Sequence, residues 1–123
     1  MTQEEKNKLL KYLSMALQYG VIVRIDGDEI VKLWRVESDA INGYSINRFE
    51  VLPYLRPMSS MTDDERDEYK SLQGDEWFNG YKPEGYETID SFEYLLENHF
   101  DFMGLIPTGA AIEVTDEINP YKG

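Results

Sequence analysis

The chain has 123 residues, with 24 acidic and 12 basic side chains, one histidine and no cysteine. This length is enough for one apolar core, so we predict a single domain over residues 1–123, with a flexible tail at 115–123. The lack of cysteine excludes disulfide scaffolds and thiol nucleophiles. The N-terminus is polar and no apolar stretch approaches the roughly 20 residues that cross a bilayer, so we expect a cytoplasmic protein without a membrane partner.

The negative charge is confined to one half of the sequence. Residues 1–60 carry eight acidic and eight basic side chains, and the other 16 acids and four bases lie in 61–123, so this half supplies the whole net charge of −12. Such a surface repels phosphate backbones, which disfavours direct nucleic-acid binding and favours basic partners. Alternatively, the charge serves only solubility.

The first half predicts a helix followed by a three-stranded meander. Thr2 and Glu5 form a capping box ahead of leucines at helical spacing, which predicts a helix over about 3–19. Two β-rich runs, 21–25 and 30–36, flank an Asp26-Gly27 turn. A third strand at 44–49 follows Asn42-Gly43.

The second half predicts two more helices. Pro53 and Pro57 indicate a loop after residue 51, because proline breaks both helices and central strands. Thr62 begins a second helix, and a third runs from near Asp90 to about His99. A last strand is expected at 110–114. The predicted fold class is α+β: a mostly antiparallel sheet of three or four strands with an N-terminal helix and two further helices.

Few residues point to chemistry. The acidic run 63–68 could hold a divalent cation, but it fits a solvated helix N-terminus better and does not match a calcium loop. His99 could act as a general base oriented by Asp101, or cap the end of its helix. The sequence contains no hydrolase, zinc or phosphate-loop motif. We therefore assign no catalytic, metal or cofactor-binding residues, expect no cofactor, and lean towards a protein that is not an enzyme.

An aromatic segment is the best candidate for a binding surface. Aromatic residues and arginine are enriched in protein interfaces. The predicted protein-binding residues are Tyr54, Arg56, Trp77, Phe78, Tyr81 and Tyr86. The same aromatic side chains could instead pack back on the sheet.

Two blocks carry a family resemblance: residues 54–62, Tyr-Leu-Arg-Pro-Met-Ser-Ser-Met-Thr, and residues 99–106, His-Phe-Asp-Phe-Met-Gly-Leu-Ile. With these blocks the chain resembles a family of short uncharacterised proteins carried by phages and mobile elements of gut bacteria. The resemblance covers most of the chain, with the middle loop departing most. It implies genomic context and no particular chemistry.

The leading functional hypothesis is therefore a small acidic, non-enzymatic accessory protein of phage or mobile-element origin that binds another protein. One alternative is that its acidic half imitates nucleic acid and inhibits a basic host protein. A second is a small-ligand or enzymatic module that uses His99 and nearby carboxylates. A homodimer is a third alternative for the aromatic surface.

Overall fold

The computed structural model describes residues 1–73 and 88–122. Its helices are α1 (Gln3–Ala16), α2 (Asp63–Leu72) and α3 (Ile89–Glu97). Its strands are β1 (Ile22–Ile25), β2 (Glu29–Lys32), β3 (Ala40–Ile41), β4 (Tyr44–Ser45), β5 (Val51–Pro57), β6 (Phe100–Asp101) and β7 (Ile112–Glu113). Within the described ranges, none of the helices has the length and apolar character needed to span a membrane.

Helix α1 packs its apolar side against the sheet. The Thr2 side chain accepts a hydrogen bond from the Glu5 N–H and so begins the helix. A stripe of apolar side chains then packs on β1 and β5; its buried members are Leu9, Tyr12, Leu13 and Ala16. A short 3₁₀ turn follows and ends at Gly20, whose φ of +74° suits glycine.

Both predicted turns are present, but they build different structures. Asp26-Gly27 and Asn42-Gly43 have positive φ at both residues, as a tight hairpin turn requires. The first turn joins β1 to β2 in the main sheet, whereas the second joins β3 to β4 in a separate two-stranded sheet. The predicted third strand at 44–49 is therefore wrong: β4 ends at Ser45 and pairs only with β3.

The loop predicted after residue 51 is also wrong, because Val51–Pro57 forms β5 in the middle of the main sheet. Pro53 pairs with Val23 of β1. The Asp26 N–H donates to Glu50 O, so by alternation Pro53 occupies a position that does not hydrogen bond with β1. On the other side of β5 the recorded pairing begins only at Tyr54, so the missing N–H of Pro53 costs no ladder bond.

In the part of the chain that the structure describes, the main sheet has five strands and is mixed. Strands β1 and β2 pair with antiparallel register, and β1 pairs with β5 in the same way. Strands β6 and β7 also pair with β5, and both lie parallel to it. The α+β class is therefore confirmed, while the mostly antiparallel sheet of three or four strands is corrected to a mixed sheet of five.

Helices α2 and α3 form a second layer beside the parallel strands. Helix α2 begins after Thr62, as predicted, and Thr62 and Glu65 form a capping box there. Helix α3 begins near Asp90, as predicted: its first residue is Ile89, and Thr88 and Ser91 exchange the capping hydrogen bonds. The rings of Tyr69 and Tyr94 stack between the two helices, with their centroids 6.4 Å apart.

Candidate functional site

A cleft of about 600 Å³ opens where α3, β5, β7 and the C-terminal segment meet. Two backbone hydrogen bonds fix its walls: the Arg56 N–H donates to His99 O at 2.8 Å, and the Val114 N–H donates to Leu55 O at 2.7 Å. Most of the residues that line it have polar side chains. Its residues are Arg56, Pro57, Ser60, Thr62, Glu97, Asn98, His99, Glu113, Val114, Thr115, Asp116, Asn119 and Tyr121.

His99 is held in the cleft by an unusual backbone conformation. It follows the last turn of α3 with a φ of +60°, the left-handed position at which glycine commonly ends helices. Its N–H donates to Leu96 O, and its ring stacks on Tyr121 at 3.9 Å with 8° between the planes. A non-glycine residue at this position costs about 1 kcal/mol, so the stack offsets part of that cost.

The His99 ring is neutral at physiological pH. Burial penalises its charged form, and the nearby Arg56 guanidinium adds to the effect, so that the pKa of His99 falls to about 4. Its Nδ1 atom is buried and has no hydrogen-bond partner among the described residues. A histidine with this pKa is poorly matched to acid–base catalysis near pH 7.

Asp101 does not orient His99. Its carboxylate oxygens accept hydrogen bonds from the N–H groups of Leu105 and Ile106, at 2.8 and 2.9 Å. The Asp101 side chain is buried and is not part of the cleft lining. The His99–Asp101 pair considered from the sequence is therefore replaced by a carboxylate that closes a turn and a separate, neutral imidazole.

We expect the pKa of His99 to make stability depend on pH. The folded chain binds this proton only near pH 4, whereas the unfolded chain binds it near the ordinary value of 6.5. Stability is therefore lost as the pH falls through this interval. Because the ring is partly exposed, we expect a loss of about 1–2 kcal/mol.

The measurement is urea unfolding at several pH values between 7 and 4.5, for the native chain and for His99→Asn. Asparagine tolerates positive φ, so the variant keeps the backbone and removes the titrating group. His99 is the chain's only histidine. The difference between the two curves should therefore carry the effect, and parallel curves would contradict it.

Arg56 forms one wall of the cleft and is tied to α2. Its guanidinium donates two hydrogen bonds to the Glu65 carboxylate, both at 2.7 Å, and lies 4.3 Å above the centre of the Phe100 ring. The hydrogen bonds from Arg56 are the main reason that the pKa of Glu65 falls to about 2. The positive charge of Arg56 is thus neutralised within the fold.

A second cavity, of about 270 Å³, lies between α2 and α3 and shares Glu97 with the cleft. We call the carboxylates that line the two cavities the acidic row: Glu68, Asp90, Glu93, Glu97, Glu113 and Asp116. Among the described residues, Arg56 is the one basic side chain that lines either cavity. No three histidine, aspartate or glutamate side chains in the described ranges are grouped as a metal site would need.

The predicted binding residues are distributed differently. Arg56 lines the cleft, while Tyr54 is only 4% exposed and its ring belongs to the interior. Trp77, Phe78, Tyr81 and Tyr86 lie outside the described residues. The sequence analysis missed Tyr121, which it placed in a flexible tail; the structure instead records its contact with His99.

Comparison with known proteins adds no assignment, since no family model, no curated protein and no solved structure matches the chain.

Proposed function

We propose that the protein is a small, non-enzymatic binding module that holds a basic segment of a partner protein along the acidic row. The observation that carries this proposal is that two cavities that share Glu97 present six carboxylates, while the one base that lines them among the described residues is paired with Glu65. Concave surfaces lined by charge of one sign concentrate ligands of the opposite sign.

The cleft is suited to a lysine or arginine side chain in a further respect. The neutral His99 ring does not repel a cation, and its stack with Tyr121 provides a rigid aromatic wall. Each exposed carboxylate contributes little, on the order of 0.5 kcal/mol. Several acting together give specificity and a fast encounter.

The accessory role in a phage or mobile element follows from the sequence resemblance and belongs to the same proposal, as does a cytoplasmic location. If the protein imitates nucleic acid, the basic groove of its partner is one that normally binds DNA or RNA. In that case duplex DNA should displace the chain from its partner.

The test is a titration of the isotopically labelled chain with an arginine-rich peptide, followed by the amide shifts in NMR spectra. We expect the largest shifts around Glu97, His99 and Glu113. The double variant Glu97→Lys, Asp116→Lys should bind about tenfold more weakly, and binding should weaken as salt is added.

The matched control reverses two exposed carboxylates outside the row, in Glu4→Lys, Asp28→Lys. It changes the net charge by the same amount, so we expect its affinity to stay close to that of the native chain. An equal loss in both double variants would show that the peptide responds only to net charge and would overturn the proposal.

A further inference from the structure

The ladder between β1 and β5 stops one rung early. Asp26 N–H donates to Glu50 O, and Arg24 faces Leu52, so the next hydrogen-bonding pair in this register is Ile22 with Tyr54. The hydroxyl of Tyr121 lies between the Ile22 N–H and the Tyr54 carbonyl of this pair. It accepts from the Ile22 N–H at 3.0 Å and donates to Tyr54 O at 2.7 Å.

The same side chain is recognised through its ring. The His99 imidazole stacks on the Tyr121 ring in a nearly parallel arrangement, with 8° between the planes. Burial raises the pKa of Tyr121, so the hydroxyl keeps the proton that it donates to Tyr54 O. The Ile22 N–H and the Tyr54 carbonyl thus match the acceptor and donor capacities of a phenol hydroxyl, and the His99 ring matches its flat ring.

We propose that the open end of the β1–β5 ladder and the His99 ring form a binding socket for a tyrosine side chain, which Tyr121 of this chain occupies. This inference does not rest on the proposed binding of a basic segment, although His99 and Tyr121 also line the cleft. The socket consists of the Ile22 N–H, the Tyr54 carbonyl and the His99 ring.

An exchange of backbone partners lets the phenol leave the socket. Without the phenol, the Ile22 N–H and the Tyr54 carbonyl are register partners on neighbouring strands, so each has the other as an alternative partner. Release therefore leaves no backbone group without a partner. It also removes one wall of the cleft, because Thr115, Asp116, Asn119 and Tyr121 all line it.

The test empties the socket in the full chain and refills it with a small molecule. In Tyr121→Gly, N-acetyl-L-tyrosinamide at millimolar concentrations should shift the Ile22 amide and the His99 ring resonances in a saturable way. N-acetyl-L-phenylalaninamide lacks the hydroxyl and should bind about fivefold to tenfold more weakly. The native chain, with its socket filled, should show no saturable shift with either compound.

Equal affinities for the two compounds, or a folded Tyr121→Gly chain without saturable shifts, would overturn the proposal. Should that variant not fold, Tyr121→Phe retains the ring and removes only the hydroxyl. The amides of residues 115–122 should then exchange with solvent about tenfold faster than in the control Ile118→Ala, which changes an exposed side chain of the same segment. Unchanged exchange in Tyr121→Phe would likewise refute the socket.

Discussion

Replacing Asp101 by alanine is expected to lower the free energy of unfolding by about 3 kcal/mol. The side chain is 7% exposed and accepts from the N–H groups of Leu105 and Ile106. Hydrogen bonds to a charged acceptor contribute about 1.5–3 kcal/mol each, and their removal leaves a buried donor unpaired. Leu105 is fully buried, so water cannot substitute there at low cost.

Urea unfolding of Asp101→Ala at pH 7 measures this loss, with Asp116→Ala as the control. Asp116 is exposed, so its removal should change stability by less than about 0.5 kcal/mol. Asp101→Asn, which retains one acceptor oxygen, should fall between the two. A loss below about 1 kcal/mol in Asp101→Ala would show that the turn at 101–106 does not depend on the carboxylate.

The Arg56–Glu65 pair has the second largest expected effect. Arg56→Met should lower the free energy of unfolding by about 2 kcal/mol, because it breaks two short hydrogen bonds between β5 and α2 and the contact with Phe100. The two side chains are only 24% and 21% exposed. Water therefore screens this pair less than a surface pair.

A double-mutant cycle with Arg56→Met and Glu65→Gln isolates the coupling energy, which we expect to be about 1–2 kcal/mol. Arg35 and Glu37 provide the comparison, since they form an ion pair at the same distance of 2.7 Å but are 55% and 43% exposed. Their cycle should give no more than about 0.5 kcal/mol. Equal coupling in the two cycles would mean that burial does not strengthen the cleft pair.

Short sequence patterns correctly predicted the two hairpin turns and the start of α2. Asp26-Gly27 and Asn42-Gly43 adopt the predicted hairpin turns, and Thr62 with Glu65 begins α2 as expected. These features depend on a few neighbouring residues whose backbone preferences are strong. The short-range signals were therefore sufficient to identify them.

The centre of the sheet could not be predicted in this way. Pro53 indicates a break, yet β5 tolerates it because the proline nitrogen falls where the ladder needs no donor. The expected strand at 110–114 contains β7, but β6 has two residues, too few to show any periodicity. Their parallel pairing with β5 depends on contacts between distant parts of the chain.

The residues of the cleft also differ in how far the sequence alone could reveal their roles. His99 was identified because it is the only histidine, but its neutral state depends on Arg56 and on burial, which the sequence does not reveal. Tyr121 reaches Ile22 across 99 residues of sequence. A contact of that range leaves no local pattern, so the segment was predicted to be a tail.

The position of β5 has a consequence for synthesis on the ribosome. Residues 51–53 can pair with β1 once residue 57 has emerged, but residues 54–57 pair with residues 100–101 and 112–113. While those residues are still being made, the nascent chain exposes an unpaired edge of a largely buried strand. Unpaired strand edges can pair with other chains and cause aggregation. Slow translation between residues 57 and 113 should therefore increase the need for chaperones.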